Sequence, residues 1–299
     1  MNLEACHYPV LVTGARGLLG HALGPRLLQA APSAGTVHLT DLEELDVTNA
    51  RAVTERVQRL KPRTIFHLAA WTDVDGAELR PAEAARLNVG ATANVARAAV
   101  EAGALVVHLS TDFIFDGTNP GVYEEDDPPC PVSVYGRTKA ESEAAVRAAV
   151  PADHIIARTA WLYGAGRRNF IDAILAAARR GNAMRVVADQ VGCPTWSEDL
   201  AQALVALVAA GARGTYHVCG DGAASRWDLA CEAIEAAGLR VPVEKISTAD
   251  LPPAAHRPPR AVLSTARLAR AVGFRLPPWR ESVRAYVKSL AEPRGASTP

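Results

Sequence analysis

Apolar runs alternate with helical patterns through the first half of this 299-residue chain, and this alternation limits the possible folds more than any other feature. Strands are predicted at 10–12, 37–39, 65–68, 105–109 and 155–157, and helices near 17–31, 49–60, 81–102 and 136–150. Such alternation indicates βαβ units and a parallel sheet buried on both faces. The sequence therefore predicts an α/β fold, a doubly wound parallel sheet of the Rossmann type.

The pattern becomes less regular after about residue 160, where strands are predicted near 184–188, 215–218 and 241–246. We expect an NAD(P)-binding Rossmann domain over 1–160. A smaller C-terminal substrate-binding lobe should take up most of 161–299, with some segments returning to the first domain. The length and the 49% hydrophobic content suit one body with a sizeable core.

Charge and composition argue against several classes of protein. Basic and acidic residues balance at 32 each, so a nucleic-acid partner is not expected. The sequence contains no run of 18 apolar residues, so a membrane span is not expected. The N-terminus does not resemble a signal peptide. The histidines lack metal-ligand spacing, so no metal is expected. Five scattered cysteines without a C-x-x-C pair indicate reduced thiols and a cytoplasmic location.

The first predicted strand runs into the glycine turn Gly14-x-x-Gly17-x-x-Gly20, which opens a helical stretch. A strand, a glycine turn and a helix N-terminus together present backbone N–H groups to a dinucleotide pyrophosphate. Asp41 ends the second strand 21 positions after Gly20, where a carboxylate bonds ribose hydroxyls and favours NAD. Arg16 within the turn suits the 2′-phosphate of NADP instead. The two signals predict that both cofactors are tolerated.

Tyr135 and Lys139 are four residues apart on a predicted helix, so they share one helix face. A nearby ammonium group should lower the pKa of the phenol, which can then exchange a proton with a carbonyl or hydroxyl oxygen. Ser110, Thr111 and Asp112 follow the fourth predicted strand. They fall where substrates bind in open α/β sheets, and a hydroxyl there can donate to a substrate carbonyl.

Several segments together resemble the extended short-chain dehydrogenase/reductase family, over about residues 10–290. They are Val12-Thr-Gly-Ala-Arg-Gly-Leu-Leu-Gly20, Leu109-Ser-Thr-Asp-Phe-Ile-Phe-Asp-Gly117, Val134-Tyr-Gly-Arg-Thr-Lys139, Arg158-Thr-Ala-Trp-Leu-Tyr-Gly164 and Asp189-Gln-Val-Gly-Cys-Pro-Thr195. The Ser-Thr-Asp pattern of the second segment and the last two segments are similar to the branch that reduces the C4 ketone of dTDP-linked 6-deoxy sugars. The resemblance implies NADPH-dependent reduction of a dTDP-4-keto-6-deoxyhexose, above all the rhamnose precursor, with NADH also accepted.

The resemblance also implies roles for individual residues. Thr111, Tyr135 and Lys139 would be catalytic, with Tyr135 protonating the C4 oxygen. The cofactor would contact the residues Gly14, Arg16, Gly17, Leu18, Leu19, Gly20, Asp41, Asp46, Val47, Ala69, Ala70, Ser110, Tyr135 and Lys139. The substrate would contact the residues Thr111, Asp112, Trp161, Asn169, Arg257 and Arg260, with Trp161 against the deoxysugar.

Two departures from the family pattern leave alternatives open. Arg260 stands where many members have Asn, although a guanidinium would suit a diphosphate. His21 stands where some members carry a Glu of a metal-bridged dimer, so we expect a monomer or a weak homodimer. The alternatives are a reductase of another keto sugar, from the dihydrostreptose or antibiotic-sugar branches, and a non-catalytic regulatory subunit with the same fold.

Overall fold

In the computed structural model, which describes residues 3–251 and 254–291, a parallel sheet of six strands forms the centre of the fold. Its strands are β1 (Val10–Thr13), β2 (Val37–Thr40), β3 (Thr64–His67), β4 (Leu105–Thr111), β5 (His154–Thr159) and β10 (Gly214–His217). They lie in the order β2-β1-β3-β4-β5-β10, and every neighbouring pair is parallel. The predicted doubly wound parallel sheet is confirmed.

The helices of the described residues are α1 (Leu18–Ala30), α2 (Ala50–Leu60), α3 (Val74–Leu79), α4 (Pro81–Ala85), α5 (Ala91–Ala102), α6 (Val134–Ala149), α7 (Phe170–Arg179), α8 (Ser197–Ala209), α9 (Arg226–Ala236), α10 (Ala266–Val272) and α11 (Trp279–Ala291). Helices α1, α8 and α10 cover one face of this sheet and α2, α5 and α6 the other. The helix predicted over 81–102 is interrupted by a π-helical stretch at Arg86–Gly90.

Alternate residues of the inner strands β1, β3, β4 and β5 enter two separate hydrophobic cores. Val10 and Val12 pack with α1, α8 and α10 on one face, while Leu11 packs with α2, α5 and α6 on the other. This division follows from the two-residue period of a strand. The short apolar runs could be predicted because both of their faces are buried.

The later part of the chain forms a smaller set of short strands and helices beside the sheet. Its strands are β6 (Leu162–Tyr163), β7 (Met184–Val187), β8 (Val191–Gly192), β9 (Thr195–Trp196), β11 (Ala224–Ser225), β12 (Val243–Ile246) and β13 (Arg260–Ala261). A hydrophobic cluster joins α7, α9 and α11, whereas α8, β10 and α10 return to the central sheet. The division at residue 160 stays a prediction, and residues 292–299 of the proposed lobe lie outside the described residues.

The strand order reverses between β1 and β3, since β2 lies on one side of β1 and all later strands on the other. Ligands of open α/β sheets bind beyond the carboxyl ends of the strands near such a point. Thr13, His67 and Thr111 end three of these strands. Within the described ranges, no helix is both long enough and apolar enough to cross a membrane.

Candidate active site

The turn after β1 has the geometry of a dinucleotide cradle. Gly14 has a φ of +72°, and a Cβ there would lie 2.7 Å from the backbone nitrogen of Ala69, so only glycine fits. Gly17 caps α1, and the N–H groups of Leu18 and Leu19 have no backbone acceptor among the described residues. These unpaired donors at a helix N-terminus fit a pyrophosphate.

Side chains at the end of β2 form the predicted adenosine end of the cradle. One carboxylate oxygen of Asp41 accepts the backbone N–H of Arg16 at 2.9 Å. The Arg16 guanidinium forms exposed ion pairs with Glu43, at 2.7 Å, and with Glu44. In the free protein, Arg16, the residue predicted to bind the 2′-phosphate, is therefore paired with two carboxylates. Exposed pairs of this kind contribute little to stability.

The remaining residues predicted to contact the cofactor lie along the same edge of the sheet. Asp46 is exposed and accepts two hydrogen bonds from Thr48, while Val47 is buried. Ala69 and Ala70 lie two and three residues after the end of β3, and Ser110 is buried near the end of β4. The structure thus brings this set to one edge, and their contacts with a cofactor stay predictions.

Helix α6 places Tyr135 against the end of β4. Ser133 caps this helix by accepting the N–H of Gly136. A Cβ on Gly136 would lie 2.1 Å from the carbonyl oxygen of Phe113, so the glycine permits the close approach. The Tyr135 ring meets Phe113 edge to face, with ring centroids 5.5 Å apart.

Lys139 lies one turn further along α6 and is buried, with 2% of its surface exposed. Its Nζ donates to the carbonyl oxygen of Leu109 at 2.7 Å and lies 3.5 Å from Nε2 of His108. Burial lowers the pKa of Lys139 to about 8, and Glu143 acts in the opposite direction. The pKa of His108 is lowered well below its usual value, first by burial and then by Lys139. A cation and a neutral imidazole therefore share this pocket.

The pKa of Tyr135 moves in the direction opposite to the one that the sequence predicts. Tyr135 is partly buried, and burial raises the pKa of its phenol above the usual value. The Thr111 hydroxyl opposes this shift, whereas the charge of Asp112 reinforces it. The Lys139 ammonium is directed to the Leu109 carbonyl and does not reverse the shift. Tyr135 is therefore a protonated phenol at neutral pH.

Thr111 and Asp112 lie beside the phenol at the end of β4. The Thr111 hydroxyl donates to Oδ1 of Asp112 at 2.9 Å. Asp112 is buried, and its Oδ2 has no hydrogen-bond partner in the part of the chain that the structure describes. Burial raises the pKa of Asp112 to about 6, and its hydrogen bond from Thr111 partly offsets the effect. The structure thus brings Thr111, Asp112, Tyr135 and Lys139 into one pocket.

Trp161 follows β5 and lies at the boundary between the sheet and the smaller lobe. Its φ of +46° is unusual for a bulky residue. A Cβ on Gly192 would lie 2.6 Å from Cε2 of the indole, so the small residue lets the ring pack on β8. The Arg226 guanidinium covers the ring, with its Cζ 3.6 Å from the centroid. Sequence reasoning did not identify Arg226, because a single arginine at the start of a helix carries no motif.

The other predicted substrate residues have different surroundings. Asn169 caps α7, and its amide also donates to Gly164, Asp172 and Tyr286. Arg257 makes a two-point ion pair with Asp75, with distances of 2.7 and 3.1 Å. The Nε of Arg260 is buried without a hydrogen-bond partner in residues 3–251 and 254–291. Substrate contacts for all three stay predictions.

Asn88 is a second residue that the sequence did not indicate, and its hydrogen bonds hold the segment after β3 in place. Asn88 lies in the π-helical stretch, and its amide binds both backbone groups of Trp71 and the hydroxyl of Thr138. It therefore joins the segment after β3 to α6, next to Lys139. Such π-helical turns are frequent at functional sites, but no residue type in 86–90 predicts one.

A dinucleotide cradle, a tyrosine and lysine on one helix, and a polar strand end beside them define the class: an extended short-chain dehydrogenase/reductase. A family profile described as the RmlD substrate binding domain matches residues 8–292. The dTDP-4-dehydrorhamnose reductase of Sinorhizobium fredii (strain NBRC 101917 / NGR234) is 38% identical, over 93% of this chain and 96% of its own length. The chain belongs to the dTDP-4-dehydrorhamnose reductase family.

Two further relatives bear on the cofactor and the sugar. The crystal structure of the Bacillus anthracis dTDP-4-dehydrorhamnose reductase, in complex with NADP, superposes with a TM-score of 0.90 at 33% identity, over 94% of this chain and 98% of that one. The dTDP-4-keto-6-deoxy-D-glucose reductase of Streptomyces niveus is 39% identical, over 81% of this chain and 85% of its own length.

Proposed function

We propose that this protein reduces the C4 ketone of dTDP-4-dehydro-L-rhamnose to give dTDP-L-rhamnose, with NADPH as reductant and NADH as a second acceptable one. The observation that carries this proposal is the shared pocket of Thr111, Tyr135 and Lys139 at the carboxyl end of β4, beside the glycine turn after β1. NADPH, when bound, supplies the hydride that reaches C4. The residues of the chain supply the proton and the orientation.

Tyr135 is the proton donor in this proposal. Its raised pKa keeps the phenol protonated at neutral pH, as donation to the C4 oxygen requires. The Lys139 ammonium, one turn away, then stabilises the phenolate that donation leaves. Thr111 donates to Asp112 in the free protein, and in this proposal its hydroxyl turns to donate to the ketone oxygen and so orients the ketone beside the phenol.

The test is reduction of purified dTDP-4-dehydro-L-rhamnose, followed by loss of NADPH absorbance and by identification of the product by NMR. Wild-type protein should turn over the keto sugar, whereas Tyr135→Phe should retain NADPH binding and lose most of the turnover. A wild-type protein that binds NADPH but leaves the keto sugar unchanged would refute the activity. It would favour the non-catalytic alternative instead.

A second substrate is supported by the Streptomyces niveus relative, whose name specifies dTDP-4-keto-6-deoxy-D-glucose. This sugar differs from the rhamnose precursor in stereochemistry and keeps the 4-ketone and the diphosphate. The two keto sugars should therefore be compared at equal concentration. A higher kcat/KM for the gluco sugar would replace our first assignment. The cytoplasmic location and the monomeric or weakly dimeric state stay predictions, which cell fractionation and light scattering would check.

A further inference from the structure

Arg226, the first residue of α9, places its guanidinium over the indole of Trp161. The same guanidinium lies 5.3 Å from the ring centroid of Phe170, on α7. It therefore spans from the smaller lobe to the end of β5, where the substrate cleft is expected. Stacking on two aromatic rings fixes the guanidinium plane without using any of its N–H donors.

The guanidinium of Arg226 has no direct polar contact in the part of the chain that the structure describes. In the described ranges its guanidinium makes neither a hydrogen bond nor an ion pair. Burial lowers its pKa to about 10, the charge of Asp112 opposes this, and the neighbouring Arg257 adds to the lowering. A partly buried cation without hydrogen bonds is unfavourable, so an anionic ligand that accepts from this guanidinium would be stabilised there.

A buried arginine elsewhere in the chain shows what a structural role requires. Arg158 is 1% exposed, and it donates to both carboxylate oxygens of Glu143, at 2.9 and 2.8 Å, and to the carbonyl oxygen of Glu125. Its charge is fully compensated by the fold. Arg226 is partly buried and lacks partners of this kind, so the fold does not use its guanidinium as it uses that of Arg158.

The small sheet formed by β11, β8 and β13 indicates which anion would fit. Ser225 and Arg260 occupy the same row of this sheet, since both pair with Val191. Arg226 follows Ser225 directly, and the Nε of Arg260 is buried without a partner in the described residues. One guanidinium thus directly follows β11 and the other is carried by β13, on opposite sides of β8, an arrangement suited to two linked phosphoryl groups.

We propose that Arg226 is a substrate-binding residue that holds the diphosphate of the nucleotide sugar, with the Trp161 indole as the platform that orients its guanidinium. The inference rests on the proposed function for the identity of the ligand. It assigns Trp161 a second role, because one face of its ring serves the arginine and not the sugar. The diphosphate would bridge from Arg226 towards Arg260.

The test is calorimetric binding of dTDP, which has the diphosphate and no ketone, to wild type, Arg226→Gln and Arg226→Lys. Loss of a hydrogen bond to a charged group corresponds to roughly 10- to 100-fold in affinity, so the glutamine variant should bind dTDP weaker by that factor. Its KM for the keto sugar should rise similarly, with kcat within about threefold. The lysine variant keeps the charge but loses the planar guanidinium, so its affinity for dTDP should lie between those of wild type and Arg226→Gln. Arg270→Gln, an exposed arginine on α10, is the matched control.

Each outcome decides a separate point. A glutamine variant that binds dTDP as wild type does, while wild type reduces the keto sugar, overturns the inference and leaves the proposed function intact. A raised KM with unchanged dTDP affinity places Arg226 on the sugar and also overturns it. Failure of the wild type itself to bind dTDP contradicts the proposed function.

The melting temperature of Arg226→Gln without ligand should not fall, whereas a structural role for Arg226 predicts a drop. If this variant does not fold, the lysine variant decides the dTDP comparison.

Discussion

Replacing Lys139 by methionine should make the free protein more stable and nearly inactive. Burial lowers the pKa of Lys139 from 10.5 to about 8. This shift corresponds to roughly 3 kcal/mol of destabilisation by the buried charge at neutral pH. Methionine fills a similar volume without a charge, but it leaves the carbonyl oxygen of Leu109 without its donor, at a cost of about 1 kcal/mol. The net gain should be about 2 kcal/mol, or several degrees in melting temperature.

The sign of the pH dependence provides the stricter test. The pKa of Lys139 is lower in the folded state than in the unfolded state. Between pH 8 and 10.5 the unfolded state therefore binds more protons than the folded state. The stability of wild type, relative to that of Lys139→Met, accordingly rises with pH in this range. The advantage of the variant should therefore shrink from about 3 kcal/mol to below 1 kcal/mol between pH 7 and pH 10, before the hydrogen-bond correction. Thermal unfolding at both pH values measures this, with the exposed Lys288→Met as control. A destabilised variant at pH 7, or a difference independent of pH, would refute the reasoning.

Three further predictions concern the same pocket and the adenosine end. Tyr135→Phe should lower kcat for keto-sugar reduction by roughly 10²–10⁴-fold, and activity within twofold of wild type would exclude it as the acid. Replacing Glu43 and Glu44 by glutamine should release Arg16 and strengthen NADPH binding by roughly two- to fivefold, with NADH unchanged, as titration of each cofactor would show. Asp112→Asn should raise the melting temperature at pH 7. Because burial raises the pKa of Asp112 to about 6, wild type regains stability as pH falls through that value, and the difference should be about halved at pH 5.

The central sheet could be predicted because each of its buried strands is a short apolar run between glycines or helical patterns. The structure extends these strands by one or two polar residues, such as Thr13, Thr40 and Thr111. Hydropathy cannot assign these residues to a strand, although they end the strands where ligands bind. The glycine turn and the pair on α6 could be predicted because chemistry fixes their spacing within one turn or one helix.

The surroundings of these residues could not be predicted, since they depend on packing between segments far apart in the chain. Arg226 and Trp161 are 65 positions apart, and nothing at either position indicates the stacking. The predicted direction of the Tyr135 pKa shift was wrong for a related reason. Spacing on a helix places Lys139 one turn away, but only the fold shows that its ammonium turns to the Leu109 carbonyl while burial acts on the phenol.

Burial shifts the pKa of Lys139, Asp112 and Arg226 against the charged form in each case. The chain is able to compensate a buried charge, as the pair of Arg158 and Glu143 demonstrates. Leaving three charges poorly compensated around one cleft therefore reduces the stability of the free protein, and such a loss persists where function requires it. A ligand with a diphosphate at one end and a ketone at the other would supply a counter-charge to Arg226 and an oxygen for Tyr135 to protonate. The distribution of uncompensated charge thus supports the proposed substrate cleft independently of the catalytic motif.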